Sequence, residues 1–473
     1  MIESIVPTEQ AVMDARRGRR GPQCCADPAG GREFRRPAAR AGAGSAVRHP
    51  RAAPHPARRA AALYLTALSV SVLVAGTGLT LVAVQRNERR LQDNVVSMNE
   101  VKWYARAGLK QAFLYMDQIA DWRSRVTGGK LIDALPVGDG TVTVEVFDDV
   151  DGNLANNNAQ PVRVVSTGTR GGVSAKISVQ LKPRPHPSLR YVLFDASSDD
   201  MEFKAPVQCR GPVRNHGKIK GAAGNTTADD AAFETMTGYT IDNPLTPATY
   251  VTTAIASPAV DLSFYSALAT NIIGDYGSRC DLVGYNLTPT SNPEGTPNPN
   301  GIYRLNAGGR EVRVTNFHLR GTLIITNVGN HPVTFSGGCW IEPGPLGYPV
   351  LLIDAPNQDV TLGPSATSMA EATTTLIYPL LGINFSVLGV DFNENGSLLD
   401  TIATQVRGLI WSNGKSFTMN NGSWNFIGTV IARKFIIDNG IKVDNDLSLL
   451  YDPPPGFVES GMRLVRGSYR EVP

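Results

Sequence analysis

The sequence predicts an α+β protein with a long N-terminal helix, a small antiparallel sheet and a C-terminal all-β domain. Three observations predict it. Ala60 to Val84 is one apolar run without a charge. No proline occurs from Leu63 to Leu135, so a helix can continue well past that run. Beyond residue 140 the apolar periodicity turns from helical to strand-like. The 473 residues then divide into a basic leader (1–59), a transmembrane and amphipathic helix (60–127), a small β-sheet unit (128–187), an irregular insertion or linker (188–300) and a β-rich domain (301–473).

The leader carries twelve Arg and no Lys, whereas the whole chain has a formal charge of only +3. The remainder is therefore mildly acidic, and no basic face interleaved with aromatics points to nucleic acid. Residues 15–59 have few large apolar side chains and are expected to be disordered. Their composition resembles GC-rich coding drift, which puts the expected true start nearer the apolar run, at Met13 or a non-ATG codon.

A bilayer takes roughly 20 apolar residues in helical form, and Ala60 to Val84 meets that length. It is too long for the core of a cleaved signal peptide. The Arg-rich side stays cytoplasmic by the positive-inside rule, leaving the bulk of the chain periplasmic or extracellular and the protein single-pass in the inner membrane. After the run, Leu91, Val95, Met98, Val101, Ala105, Leu109, Ala112, Met116 and Ile119 recur at steps of three or four on one helical face. That face is expected to assemble with similar helices. Trp103, Trp122, Met98 and Met116 are expected to be packing residues. Gly128-Gly129 supplies the stop.

Thr141 to Phe147 alternates cleanly, and Val162 to Ser166 and Val173 to Leu181 read as two further strands. Pro183, Pro185 and Pro187 are expected to end this unit as a stiff spacer. From Ile302 onward, short runs such as Leu323-Ile-Ile and Lys434-Phe-Ile-Ile recur with Asn-Gly pairs at 413, 421 and 439. Very short strands without amphipathic hairpin alternation favour a β-helix-like stack; a sandwich is the alternative, because Asn-Gly also suits hairpins.

Candidate sites are few. Asp391, Asn393, Asn395 and Asp400 place oxygen side chains as in the start of a calcium loop, with Gly396 at the tight turn. Position 12 is Ile402 instead of a bidentate Glu, so an Asx-rich surface turn is the alternative. Asp149, Asp151 and Asn153 form a weaker version. Gly408 to Ser416 mimics a phosphate loop with the wrong glycine spacing and a strand after it. The His residues share no ligand spacing. No other cofactor, no nucleic acid and no small-molecule substrate is expected. Of the five Cys, Cys209 and Cys280 can form one bridge; separate thiols at 209, 280 and 339 are the alternative.

Five patches follow in order: Arg58-Arg-Ala-Ala-Ala-Leu-Tyr-Leu65, Ala105-Arg-Ala-Gly-Leu-Lys-Gln-Ala112, Val165-Ser-Thr-Gly-Thr169, Asp391-Phe-Asn-Glu-Asn-Gly396 leading into Arg407-Gly-Leu-Ile410, and Tyr451-Asp-Pro-Pro-Pro-Gly-Phe457. Together they resemble the type IV pilin superfamily, and more narrowly its PilX-like minor pilins and pseudopilins. The resemblance implies a non-enzymatic, membrane-anchored subunit of a type IV pilus or type II secretion-like system, with the bilayer and other pilin-like subunits as partners. It implies processing just before the run, where Ala60 or Ala61 stands for the usual Gly. The usual Glu inside the run is missing, and the first acid is Glu88. That gap implies a tip or accessory subunit. The rival expectations are an anchored adhesin or structural protein, and a polysaccharide-acting β-helix enzyme, for which only Asp354 and Asp359 can be paired.

Overall fold

The computed structural model describes residues 56–473 apart from 223, 225, 228–231, 243–244, 276, 421–423 and 473. Expectations for residues 1–55, and for the Asn-Gly pair at 421, fall outside the described residues. The chain divides into two compact units, residues 1–84 and 85–473, and helix α1 (Pro56–Gln118) contributes to both.

In the first unit the apolar side chains from Leu63 to Val84 are exposed. The helix is long and apolar enough to cross a membrane. Its serine and threonine hydroxyls are satisfied within it. Ser69 and Ser71 donate to Leu65 O and Ala67 O at 2.7 and 2.8 Å, and Thr66, Thr77 and Thr80 likewise bond back one turn. An apolar surrounding demands that arrangement, since it offers hydroxyls no partner.

The second unit opens with the far end of α1 lying on a small antiparallel sheet. Its strands are β1 (Lys130–Val137), β2 (Gly140–Phe147), β3 (Val162–Arg170) and β4 (Val173–Pro185), each paired with the next. The C-terminal strands Val458–Leu464 and Arg470–Val472 both pair with β4. Alternate residues Val142, Val144 and Val146 of β2 and Ile177, Val179 and Leu181 of β4 point at the helix, where Ala105, Leu109, Ala112 and Met116 meet them. Small residues permit the close approach. A Cβ on Gly168 would lie 2.3 Å from Val101 O, and one on Gly108 would lie 2.3 Å from Val142 Cγ1. This accounts for Gly108 in the Ala105–Ala112 patch. The Gly171-Gly172 turn between β3 and β4 has positive φ at both residues, as a tight hairpin requires. The proline spacer expected after Leu181 is instead strand. Pro183 and Pro185 continue β4 and pair with Met462 and Val458.

Most of the rest of the second unit is a stack of short parallel strands, with antiparallel pairs at Ser368–Ala370/Thr401–Ala403 and Thr375–Leu380/Ile383–Leu388. One ladder runs Thr270–Ile272, Ile302–Asn306, Thr322–Thr326, Leu351–Ile353, Gln405–Ser412 and Asn425–Ile431, with every pairing parallel. It does not stop there. Val430 pairs with Leu193, and the ladder continues through Val213–Asn215, Phe233–Met236 and Ala248–Val251. The chain therefore enters the stack midway, coils to one end, and restarts at the other. The return segment holds the short helix Leu262–Leu268, whose Tyr265 is buried and donates to Pro455 O at 2.6 Å. Arg214 ties the segment down by donating to Tyr191 Oη at 3.1 Å and to Thr253 O.

This topology corrects the reading of 188–300 as irregular, because strands between Leu193 and Leu287 belong to the stack. It also corrects 301–473 as one β-rich domain, because its last two strands complete the small sheet. Parallel ladders are those of stacked coils and not of an antiparallel sandwich. Asn413-Gly414 accordingly turns a corner within one coil, between Gln405–Ser412 and Ser416–Met419. Its Asn413 side chain bonds Asp354 Oδ1 and Ala355 N of the adjacent coil at 2.6 and 2.8 Å. Close stacking requires glycine at Gly408 and Gly428, since a Cβ on Gly428 would meet Gly408 O at 1.9 Å.

Candidate functional site

The candidate site is the outer face of α1. Its inner face, Val101, Ala105, Leu109, Ala112 and Met116, is at most 6% exposed, covered by the chain's own sheet. Those five residues of the expected assembly face are therefore core, which is a correction. Periodicity alone does not say which partner covers a stripe. Ile119 is half-buried, whereas Leu91, Val95 and Met98 are exposed.

A second stripe was not expected from the sequence. Val96, Trp103, Ala107 and Leu114 follow at steps of seven, four and seven, on the side of α1 opposite Ala105 and Ala112. Val96, Trp103 and Leu114 are 54, 64 and 54% exposed. The Arg106 guanidinium lies 5.3 Å from the Trp103 ring centre. Lys102 pairs with Glu471 at 2.8 Å along the flank. Trp103 is thus not a packing residue, while Trp122 and Met116 are. The signal that could have found the stripe is a second heptad-like spacing on the same helix. Ala60 and Ala61 lie within α1, and their side chains fall outside the described residues.

The calcium-loop residues come together. Asp400 Oδ2 accepts from Asn393 Nδ2 and Asn395 Nδ2 at 3.0 and 2.6 Å, and these bonds hold its carboxyl below the usual range. The Asp391 carboxylate accepts from Asn395 N and Gly396 N at 3.2 and 2.7 Å. Buried Glu371 braces the loop by accepting from Phe392 N at 2.8 Å. Among the described residues no three His, Cys, Asp or Glu side chains form a metal-binding group. In the weaker loop, Asp149 is engaged by Arg163 at 2.9 Å, and Asp151 by Asn153 N and Asn156 Nδ2 at 2.8 and 2.5 Å.

The remaining candidates are separate. Asp354 and Asp359 each bond a neighbouring coil, through Asn413 at 2.6 Å and Ser416 at 2.7 Å. Gly408 lies in a strand, not in a phosphate loop. Cys209, Cys280 and Cys339 are buried free thiols, which closes the alternative of a Cys209–Cys280 bridge. Burial pushes Cys209 and Cys339 up to about 12. His318 is buried, stacked 4.1 Å from Trp340 and bonded through Nδ1 to Asn286 at 2.7 Å. Desolvation lowers it to about 4, so it is neutral at pH 7.

No family model matches the chain, and no curated protein matches it. Among solved structures, the crystal structure of the competence-associated pilin ComZ from Thermus thermophilus is similar over 80% of this chain and 98% of that chain, at 12% identity and a TM-score of 0.31. A score that low carries no argument about fold or role, so the functional reading rests on this chain's own helix and sheet.

Proposed function

We propose that this chain is a non-enzymatic, membrane-anchored subunit of the minor pilin or pseudopilin kind, serving a type IV pilus or a type II secretion-like system. One observation carries the reading. A single breaker-free helix supplies both an exposed apolar stretch of spanning length and the core element of a small antiparallel sheet. A plain anchor needs only the first part. The outer stripe of Val96, Trp103, Ala107 and Leu114 is the surface that takes the helix of another subunit. The run without a Glu favours a tip or accessory position. The leader lies in the cytoplasm and the coil stack outside it, as a β-helix-like display domain.

The test is fractionation with protease shaving of intact cells or spheroplasts. The full chain stays in the membrane after an alkaline wash, and added protease removes epitopes in the coil stack while sparing the leader side. Release by the wash, or protection of the stack, would overturn the reading. Calcium at Asp391, Asn393, Asn395 and Asp400 is a second proposal, supported by their convergence. Calorimetry on the full chain should give a saturable heat lost in Asp391→Ala, and a flat titration ends it.

A further inference from the structure

The coil stack carries an open cleft of about 480 Å³, within the usual size range of ligand sites. Arg320 and Glu342 stand opposite each other on paired strands, and Arg407 follows Val406, the partner of Ile341. The three side chains thus line the cleft from consecutive coils, in a row of roughly 10 Å at about 4.8 Å per strand. Asp446 and Asp452 line it from the C-terminal segment. Pro343, Leu409 and Leu449 supply apolar lining, and Tyr348 supplies an aromatic ring. That ring is held in place by Phe264 and Tyr265, at centre-to-centre distances of 6.0 and 5.3 Å.

The charges in the cleft cancel. Arg407 donates to Asp446 Oδ2 through Nε and Nη2, both at 3.4 Å, and Ser448 occupies Asp446 Oδ1. Asp452 is taken by Lys182 at 2.6 Å. Arg320 Nε stands 3.6 Å from Glu342 Oε1, an ion pair too long for a hydrogen bond. Among the described residues the Arg320 guanidinium, the Glu342 carboxylate, Arg407 Nη1 and the Tyr348 hydroxyl therefore have no hydrogen-bond partner. We propose that this cleft binds a neutral oligosaccharide lying along the stack. Arg only donates and a carboxylate only accepts, whereas each sugar hydroxyl does both. Neighbouring hydroxyls of one ring can accept from Arg320 and donate to Glu342, and the next ring can meet Arg407. The C–H face of a pyranose suits the tyrosine ring and the apolar lining. A polyanion is the poorer ligand, because Glu342 and Asp446 oppose it. An apolar ligand is poorer still, because it would strip water from Arg320 and Glu342 and replace none of its hydrogen bonds. Such binding is independent of what α1 assembles with.

The experiment applies the full chain, in a detergent without a sugar headgroup, to an array of neutral hexose and N-acetylhexosamine saccharides with heparin alongside. Neutral trimers should be retained, and more tightly than the monomers, because the row spans three coils. Arg320→Ala and Glu342→Ala should each weaken the best trimer by about tenfold or more, the loss of a hydrogen bond to a charged group. Both side chains sit in a surface ion pair, so the melting temperature should not move. Lys204→Ala, which breaks an ion pair with Asp438 that does not line the cleft, should leave binding unchanged. Retention of heparin alone, retention of no neutral saccharide, trimers no tighter than monomers, or binding within about twofold of wild type in both cleft variants would each overturn the proposal.

Discussion

The inner and outer faces of α1 between Val96 and Met116 carry similar apolar residues at similar spacing, yet one is covered and the other is open. Leu109 is 6% exposed and Leu114 is 54% exposed. The difference lies in what stands opposite. Leu109 shares a core with Val142, Val144, Ile177 and Val179, and among the described residues that core does not include Leu114. An apolar stripe thus declares that something covers it without saying whether the cover is the same chain or another. The more regular stripe here was the intramolecular one.

The contrast can be broken from the inside. Leu109→Asp places a carboxylate against the valines of β2 without a partner, and should cost about 4 kcal/mol or more. Chemical denaturation of the small-sheet unit measures it, and a loss under 1 kcal/mol would mean the inner face is not core. A covered titrating group sharpens the same point in the coil stack. The unfolded His318 binds a proton near pH 6.5 and the folded one near 4, so stability is lost as pH falls through that window. Relative to His318→Gln, the wild type should lose roughly 3 kcal/mol between pH 7 and 4. Asp195, pushed up to about 6 by burial, acts oppositely and loses stability as pH rises between about 4 and 6. It is common to both proteins and cancels in the difference. Equal pH profiles would contradict the buried, neutral imidazole.

Smaller effects follow at the helix–sheet contact and on the outer face. Gly168→Ala should cost about 2 kcal/mol, because the new methyl meets backbone atoms of α1 and can be relieved only by moving the helix. Trp103→Asp with Leu114→Asp should change stability by less than about 0.5 kcal/mol, since both side chains are open. A melt of that double variant checks it. A large loss would show that the outer face is covered after all.

Legibility followed how much of each strand alternates. β2, β3 and β4 were readable at Thr141–Phe147, Val162–Ser166 and Val173–Leu181, because a sheet with one covered face alternates over many residues. β1 gave no signal, since its residues are mostly exposed. Strands such as Leu193–Asp195 and Gln208–Arg210 are three residues long and separated by polar corners, too short for any period to register. The midway entry at Leu193 was not readable at all, because it is a pairing between segments far apart in sequence. Of the candidate site, the helix was legible and its outward side was not. The convergence of Asp391, Asn393, Asn395 and Asp400 was readable from spacing alone.

The central claim is that the outer face of α1 takes another subunit's helix, and the most direct measurement is photo-cross-linking in native membranes. A photoreactive residue at Trp103 should yield adducts whose peptides come from the N-terminal apolar helix of this chain or of a subunit with the same layout. The same residue at the exposed control Tyr239 should yield none. Adducts to lipid alone, or equal adducts at both positions, would contradict the account.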